Sequence, residues 1–307
     1  AADDIRALHG LSYEETAFRV MRPFVGDGFT DETLGDLITK AYAGFGHNAR
    51  AVREGMLAME TFGEDSSHPP ILIVHGLFGS GRNWGVIAKR LAKDRRVVTV
   101  DMRNHGDSPR EETQDYPAMA NDLARVIDEI GGTAQVIGHS MGGKASMLLA
   151  LAHPDKVARM IVADIAPVAY AHTQSHLIEA MQALDLAALG TRSDADAALA
   201  EAVEEKSVRA FLLQSLDVRG KAWKLNLDVL EREMKKITGF PEVSGTYDGP
   251  VLFLAGADSD YVRSEHRAQI KALFPEARQA KIPGAGHWLH AEKPREFEAA
   301  VRAFFEI

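Results

Sequence analysis

The chain has 307 residues, 46% of them hydrophobic, with a formal net charge of −9 and no cysteine. That length holds one large α/β domain with an insertion, or two small domains. Lack of cysteine excludes disulfides, thiolate catalysis and Cys-based zinc sites. The acidic balance, without any basic cluster, argues against nucleic acid or an anionic membrane as partner, while leaving an anionic substrate open.

No apolar run reaches membrane-spanning length, and the first six residues lack the basic start of a secretory signal. Cytoplasm is therefore the expected compartment. Residues 11–21 have a helical period, and a second helix over 30–45 opens with Thr30-Asp31-Glu32-Thr33. A first strand is expected at 57–62. From Pro69 onward strand and helix alternate, as in a parallel sheet. Strands are expected at 71–75, 97–101, 134–137 and 157–163, and helices at 83–93, 117–130 and from 144 to about 153. Between 168 and 249 the strand signal stops. Helices are expected there over 175–189, 193–206, 208–216 and 226–237, separated by Gly190-Thr191, Asp217-Val218-Arg219-Gly220 and Gly239-Phe240-Pro241. Strands return at 251–255 and 277–282, and a helix over 294–305 closes the chain. A helical insertion after the fourth of these units reads as a lid over the C-terminal ends of the strands, where open α/β sheets bind ligands. The bland reading is a subdomain that only stabilises the fold.

The chemistry is concentrated at Gly138-His139-Ser140-Met141-Gly142-Gly143, set between a strand and a helix. A turn this sharp needs residues without bulk beside the serine. It lifts Ser140 Oγ clear of the sheet and aims the first amides of the helix at the same spot. In that context G-x-S-x-G is the nucleophile elbow of an α/β-hydrolase, whose partners follow in the order acid, then histidine. His287, in the glycine-rich loop Gly284-Ala285-Gly286-His287-Trp288 after the last strand, stands where the base is expected. His290 is expected on the surface or against the lid, His139 in or near the sheet, and His75 in a structural role. Two positions compete for the acid. Asp164 ends the strand over 157–163, where a buried carboxylate needs a hydrogen-bonding partner such as an imidazole N–H. Asp258 lies in the loop after 251–255, beside Ser259. Asp164 is preferred, Asp258 is the alternative, and Asp260 is expected to cap the next helix. The oxyanion amides are expected from Met141 and from Leu77 in His75-Gly76-Leu77-Phe78-Gly79, with Phe78 as the alternative to Leu77. Phe78, Phe211, Leu212, Trp223, Leu227 and Trp288 are the candidate substrate-binding side chains. Their bland reading is the insertion's own core. No metal or cofactor is expected.

The segments HGLFGSGRNWGVIAKRLA, VDMRNHGDSPR, GHSMGGKASMLLAL, ADIAPVAY and GAGHWLHAEKP together resemble a group of small bacterial esterases and acyl-CoA thioesterases of the α/β-hydrolase fold, a group similar to a mitochondrial abhydrolase-domain protein. The resemblance covers about 56–307. It implies a mostly parallel sheet flanked by helices, and acyl-ester hydrolysis without a cofactor. It also implies the aspartate matching Asp164 as the acid, although this chain carries Asp258 at the later location as well. Residues 11–51, with RPFVGDGFTDETLGDLITKAYAGF, resemble part of the N-terminal domain of threonine synthase. The expected organisation is a helical extension over 1–55, joined in frame to a hydrolase core over 56–168 and 247–307, with a lid over 169–246. The expected function is hydrolysis of carboxylic esters with short to medium acyl chains through an acyl-enzyme. Thioester cleavage, perhydrolysis and carbon–carbon bond hydrolysis are the alternatives on the same fold, and a catalytically silent binding module is the non-enzyme alternative. The partner is a small-molecule ester or thioester.

Overall fold

The computed structural model describes residues 55–307. The two helices expected within 1–55 lie outside the described residues. Short, continuously apolar runs form the central strands, because a strand covered on both faces has no polar side to show. β1 (Met59–Phe62), β2 (Ile71–Val74), β3 (Val97–Val100), β4 (Ala134–His139) and β5 (Val157–Ala163) build one half of a seven-stranded sheet. After the helical insertion come β8 (Val251–Gly256) and β9 (Ala277–Ile282). The order is β1-β3-β2-β4-β5-β8-β9. β1 runs antiparallel to β3, and every other pair is parallel.

Alternate residues of these strands feed two cores. Leu72, Val74, Val98, Val100 and Val136 face one side, packed with α2 (Tyr116–Ile130) and α3 (Met141–Ala152). Ile71, Ile73, Val97, Ile137 and Ile161 face the other, packed with α1 (Gly85–Leu91) and α11 (Pro294–Phe305). Asp115 caps α2, its carboxylate accepting from the Ala118 amide at 2.9 Å, with Pro117 in the first turn where no N–H is needed.

Between β5 and β8 lie α4 (Ser175–Gln182), α5 (Arg192–Leu199), α6 (Lys206–Leu213), α7 (Leu227–Arg232) and α8 (Met234–Thr238). Four helices are expected there from the sequence. The last of them is instead broken at Glu233, and Asp217-Val218-Arg219-Gly220 is the turn of a small hairpin, β6 (Leu216–Asp217) with β7 (Ala222–Trp223). Asp217 makes that turn, its carboxylate accepting from the Gly220 amide at 2.9 Å. A further helix, α9 (Arg267–Leu273), joins β8 to β9. The short α10 (Leu289–Glu292) follows β9. The expected helix over 83–93 starts as a 3-10 turn, Gly81–Trp84, before α1. Among the described residues no helix is long and apolar enough to cross a membrane.

Candidate active site

The parallel strands β2, β4, β5 and β8 all end at one edge, so the loops after them meet there. β4 turns into α3 through Ser140, whose φ of 53° and ψ of −119° lie outside the regions open to ordinary L residues. Only glycines fit around so tight a turn. A Cβ on Gly138 would come within 2.5 Å of the Gly142 carbonyl, and one on Gly142 within 2.4 Å of the Val74 and His75 carbonyls. The serine is half-buried and faces a cavity of about 630 Å³.

His287 Nε2 lies 3.1 Å from Ser140 Oγ, and His287 Nδ1 lies 2.7 Å from Asp164 Oδ2. The structure thus brings Ser140, His287 and Asp164 into one hydrogen-bonded line. Asp164 is fully buried and also has a positive φ, 52°. Strain of about 1–3 kcal/mol at each such residue must be supported by its surroundings. The carboxylate is held by donors on both oxygens. Oδ1 accepts from the Gly256 amide at 3.0 Å, and Oδ2 accepts from Ser259 Oγ at 2.5 Å as well as from the imidazole. Charge-assisted bonds of this kind offset the desolvation of a buried carboxylate. Asp258 is not part of this line: its residue is exposed, and the imidazole turns to Asp164 instead. Asp260 does not cap the following helix either. It is exposed, its carbonyl accepts from Arg263 Nε, and Arg263 occupies the cap position.

On the other side of the serine, among the described residues neither the Leu77 nor the Met141 amide donates to a protein acceptor. Met141 opens α3, so its N–H is one of the donors a helix leaves unpaired at its start. Phe78, the alternative to Leu77, is committed elsewhere. Its φ is 66°, and its amide donates to His105 Nε2 at 3.2 Å. His105 Nδ1–H in turn donates to the Arg103 carbonyl, so the ring is neutral and one tautomer is fixed; burial holds its pKa down at about 4. His75 is fixed the same way, donating to the Gly76 carbonyl and accepting from the Met102 amide, and burial holds it well below the usual range. Both rings brace the loop after β2.

His139 Nε2–H donates to the His287 carbonyl at 2.8 Å, and burial lowers its pKa to about 3. His290 differs from its expected place. It is not on the surface but buried at the border of the cavity, stacked on Trp84 with centroids 3.9 Å apart and planes 11° apart. Tyr261, which no sequence motif singles out, stacks its ring on His287 at 4.0 Å and 20°. Ser259, beside Asp258 in the loop that the sequence singles out, is a second such residue: its hydroxyl donates to Asp164 Oδ2.

Among the candidate substrate-binding side chains, Phe78, Phe211 and Trp288 line the cavity, with Phe211 and Trp288 in ring contact at 5.4 Å. Leu212, Trp223 and Leu227 do not. Leu212 is wholly buried inside the insertion; Trp223 and Leu227 border a separate, smaller hollow, where the indole N–H donates to the Met181 carbonyl. In their place Leu177, Val203 and Val208 join Phe211 in the wall that the insertion contributes. Lys144, one turn after the serine, also reaches the cavity. Its ammonium donates to the Thr238 and Gly239 carbonyls and lies 4.8 Å from the Tyr170 ring, and burial lowers its pKa to about 7.

A family model described as alpha/beta hydrolase fold matches residues 69–294, and one described as threonine synthase N terminus matches residues 1–42. The chain is 44% identical over 252 residues to the mouse protein named sn-1-specific diacylglycerol lipase ABHD11, covering 78% of this chain and 82% of that one. It is 41% identical over 248 residues to esterase YbfF of Escherichia coli K12, covering 80% and 96%. Among solved structures, a marine microorganism esterase superposes with a TM-score of 0.77 at 38% identity, covering 81% of this chain and 99% of that one.

Proposed function

This chain belongs to the α/β-hydrolase fold family and is a carboxylesterase-type hydrolase, and from that premise we propose that it works through an acyl-enzyme on Ser140. The observation that carries this reading is the Ser140–His287–Asp164 line, at 3.1 and 2.7 Å, beneath the cavity. Ser140 Oγ attacks the acyl carbonyl while His287 Nε2 takes its proton. Asp164 keeps the imidazole in the tautomer with hydrogen on Nδ1 and stabilises the cation that forms. The amides of Leu77 and Met141 receive the oxyanion. The protonated imidazole then delivers its proton to the departing alcohol. Water attacks the acyl-enzyme by the same steps in reverse roles.

The substrate we propose is an ester of a short- to medium-chain acid with an uncharged alcohol. The relatives named as a diacylglycerol lipase and as an esterase support ester cleavage. The cavity wall supports an uncharged alcohol: Glu204 and Glu205 carry the acidic charge there, and Lys144, the one lysine or arginine among the described lining residues, is already engaged by carbonyls. Such a lining offers little to the phosphates of an acyl-CoA.

The test pairs a fluorophosphonate probe with graded p-nitrophenyl esters and acyl-CoAs. The wild-type protein should be labelled on Ser140, and Ser140→Ala should lose labelling and several orders of magnitude in turnover. Esters should exceed acyl-CoAs of equal chain length in kcat/KM. Retention of more than a few per cent of turnover by folded Ser140→Ala would overturn the mechanism; a preference for acyl-CoA would overturn the substrate class.

A further inference from the structure

The imidazole of His287 is held by more than its two ring nitrogens. Its face lies against Tyr261, centroids 4.0 Å apart and planes 20° apart. That phenol ring is itself pinned. The Tyr261 amide donates to Ser259 Oγ at 3.3 Å, and its carbonyl accepts from Tyr170 Oη at 2.7 Å. Tyr170 Oη also accepts from the Ala166 amide, just beyond Asp164. The Tyr261 hydroxyl meets His172 Nε2 at 2.8 Å. The loop after β8 and the loop after β5 are therefore tied together around one stacked pair of rings.

From this geometry, and resting on the proposed role of His287 as base, we propose that Tyr261 is a positioning residue that acts through the imidazole. Its π face fixes the tilt of the ring between Asp164 and Ser140 and favours the imidazolium formed in the transition state over the neutral ring of the resting enzyme. A ring quadrupole attracts a cation on its face and is nearly indifferent to a neutral partner, so the contact is stronger when Ser140 has given up its proton. Burial raises the Tyr261 hydroxyl's own pKa, which keeps the phenol neutral at working pH. The other titratable groups facing His287 are Asp164 from the loop after β5, His139 and Ser140 from the elbow, His290 from α10 and His172 from the start of the insertion. Asp164 already favours the cation. His139 and His290 are held neutral by burial and add no positive charge that would oppose it, and desolvation lowers the pKa of His172 as well. Tyr261 is the aromatic face stacked on the imidazole, at 4.0 Å, whereas the Trp288 ring is tilted and 6.2 Å away.

Ring electronics separate this role from packing. Phenylalanine, 4-fluorophenylalanine and 3,4,5-trifluorophenylalanine at position 261 of the full chain keep the ring's shape while weakening its quadrupole stepwise. Tyr261→Phe should stay within about three-fold of wild type. Across the series kcat should fall stepwise to about a tenth of the Phe value, the size expected for a partly desolvated cation–π contact, while KM changes less than about two-fold. The acidic limb of kcat/KM should move to lower pH in step, by up to about one unit, because a weaker π face holds the imidazolium less well. Tyr261→Leu should move the limb as far as the trifluorinated ring or further. A series flat in both kcat and the acidic limb, with Ser140→Ala inactive, would overturn the role of Tyr261 and leave the nucleophile assignment standing. Activity in folded Ser140→Ala would overturn both. Fluorophosphonate labelling counts the competent sites in each variant, so a folding defect does not enter the comparison.

Discussion

Replacing Asp164 by asparagine should silence the enzyme without disturbing its fold, and the structure shows how. Oδ1 accepts from the Gly256 amide at 3.0 Å, and an asparagine oxygen can keep that bond. The new NH2 then occupies the place of Oδ2, where Ser259 Oγ at 2.5 Å and His287 Nδ1 at 2.7 Å both donate at present. The serine hydroxyl can rotate and accept. The imidazole can accept only by moving its hydrogen to Nε2. Every buried polar group is then satisfied, so the stability loss should stay within about 2 kcal/mol. But Nε2 now carries a hydrogen aimed at Ser140 Oγ and cannot take its proton. Loss of the base by the wrong tautomer should lower kcat about 10⁴-fold, or about 5.4 kcal/mol in barrier height. Asp258→Asn changes an exposed side chain outside the line and should leave kcat within about two-fold. The assay is steady-state hydrolysis of a p-nitrophenyl ester by both variants, with thermal melting as the folding control. A folded Asp164→Asn enzyme with more than about a tenth of wild-type kcat, beside an inactive Asp258→Asn, would refute the tautomer argument and move the acid to the loop after β8.

Phe211 and Val208 line the cavity on α6, whereas Leu212 on the same helix is wholly buried in the insertion. Phe211→Ala and Val208→Ala should shift kcat/KM toward longer acyl chains by about 1–3 kcal/mol, while Leu212→Ala should lower the melting temperature and leave the chain-length profile in place; identical profiles in all three would contradict the wall assignment. Removal of residues 1–55, which supply none of the proposed catalytic groups, should leave kcat within a few-fold, and a folded, fluorophosphonate-reactive truncation without turnover would show that the extension completes the site.

The sheet was legible because strands buried on both faces have to be apolar throughout: Ile71–Val74 and Val251–Gly256 announce themselves with no polar alternation to misread. The elbow was legible for a steric reason, since Gly138 and Gly142 sit where any Cβ would strike backbone. The insertion was less so. A helix that packs on two apolar surfaces shows apolar residues on both sides, and nothing in the sequence tells the cavity face of α6, with Val208 and Phe211, from the core face with Leu212. α9 escaped notice because only Ile270 of its seven residues is buried, too little to make a periodic signal. The hydrogen-bonding role of Ser259 and the stacking of Tyr261 depend on loops of distant strands meeting in space. Local pattern carries no trace of such a meeting, even where, as at Ser259, the position itself was conspicuous.

Four histidines, His75, His105, His139 and His290, are buried and held neutral around the site, and this sets the protein's response to acid. Each has a native pKa below that of the unfolded chain, about 4 for His105 and about 3 for His139. Below about pH 6.5 the unfolded state takes up protons that the native state refuses, so stability is full above that pH and falls as the pH drops toward the native values. With one proton per ring, the four together give a slope of at most about 5 kcal/mol per pH unit near pH 5. A marginally stable domain should therefore unfold well before its carboxylates are all protonated. His290 isolates one share of this slope. Its Nδ1 is buried without a hydrogen-bond partner and its ring stacks flat on Trp84. Phenylalanine at 290 can keep the stacking and has no proton to refuse. His290→Phe should lower the slope by about 1.4 kcal/mol per pH unit and gain stability relative to wild type as the pH falls from 6.5 to 4.5. Urea denaturation at half-unit steps of pH measures both quantities. Parallel stability curves for the two proteins would mean that His290 takes up its proton in the native state, and the neutral-cluster argument would fail at its least partnered member.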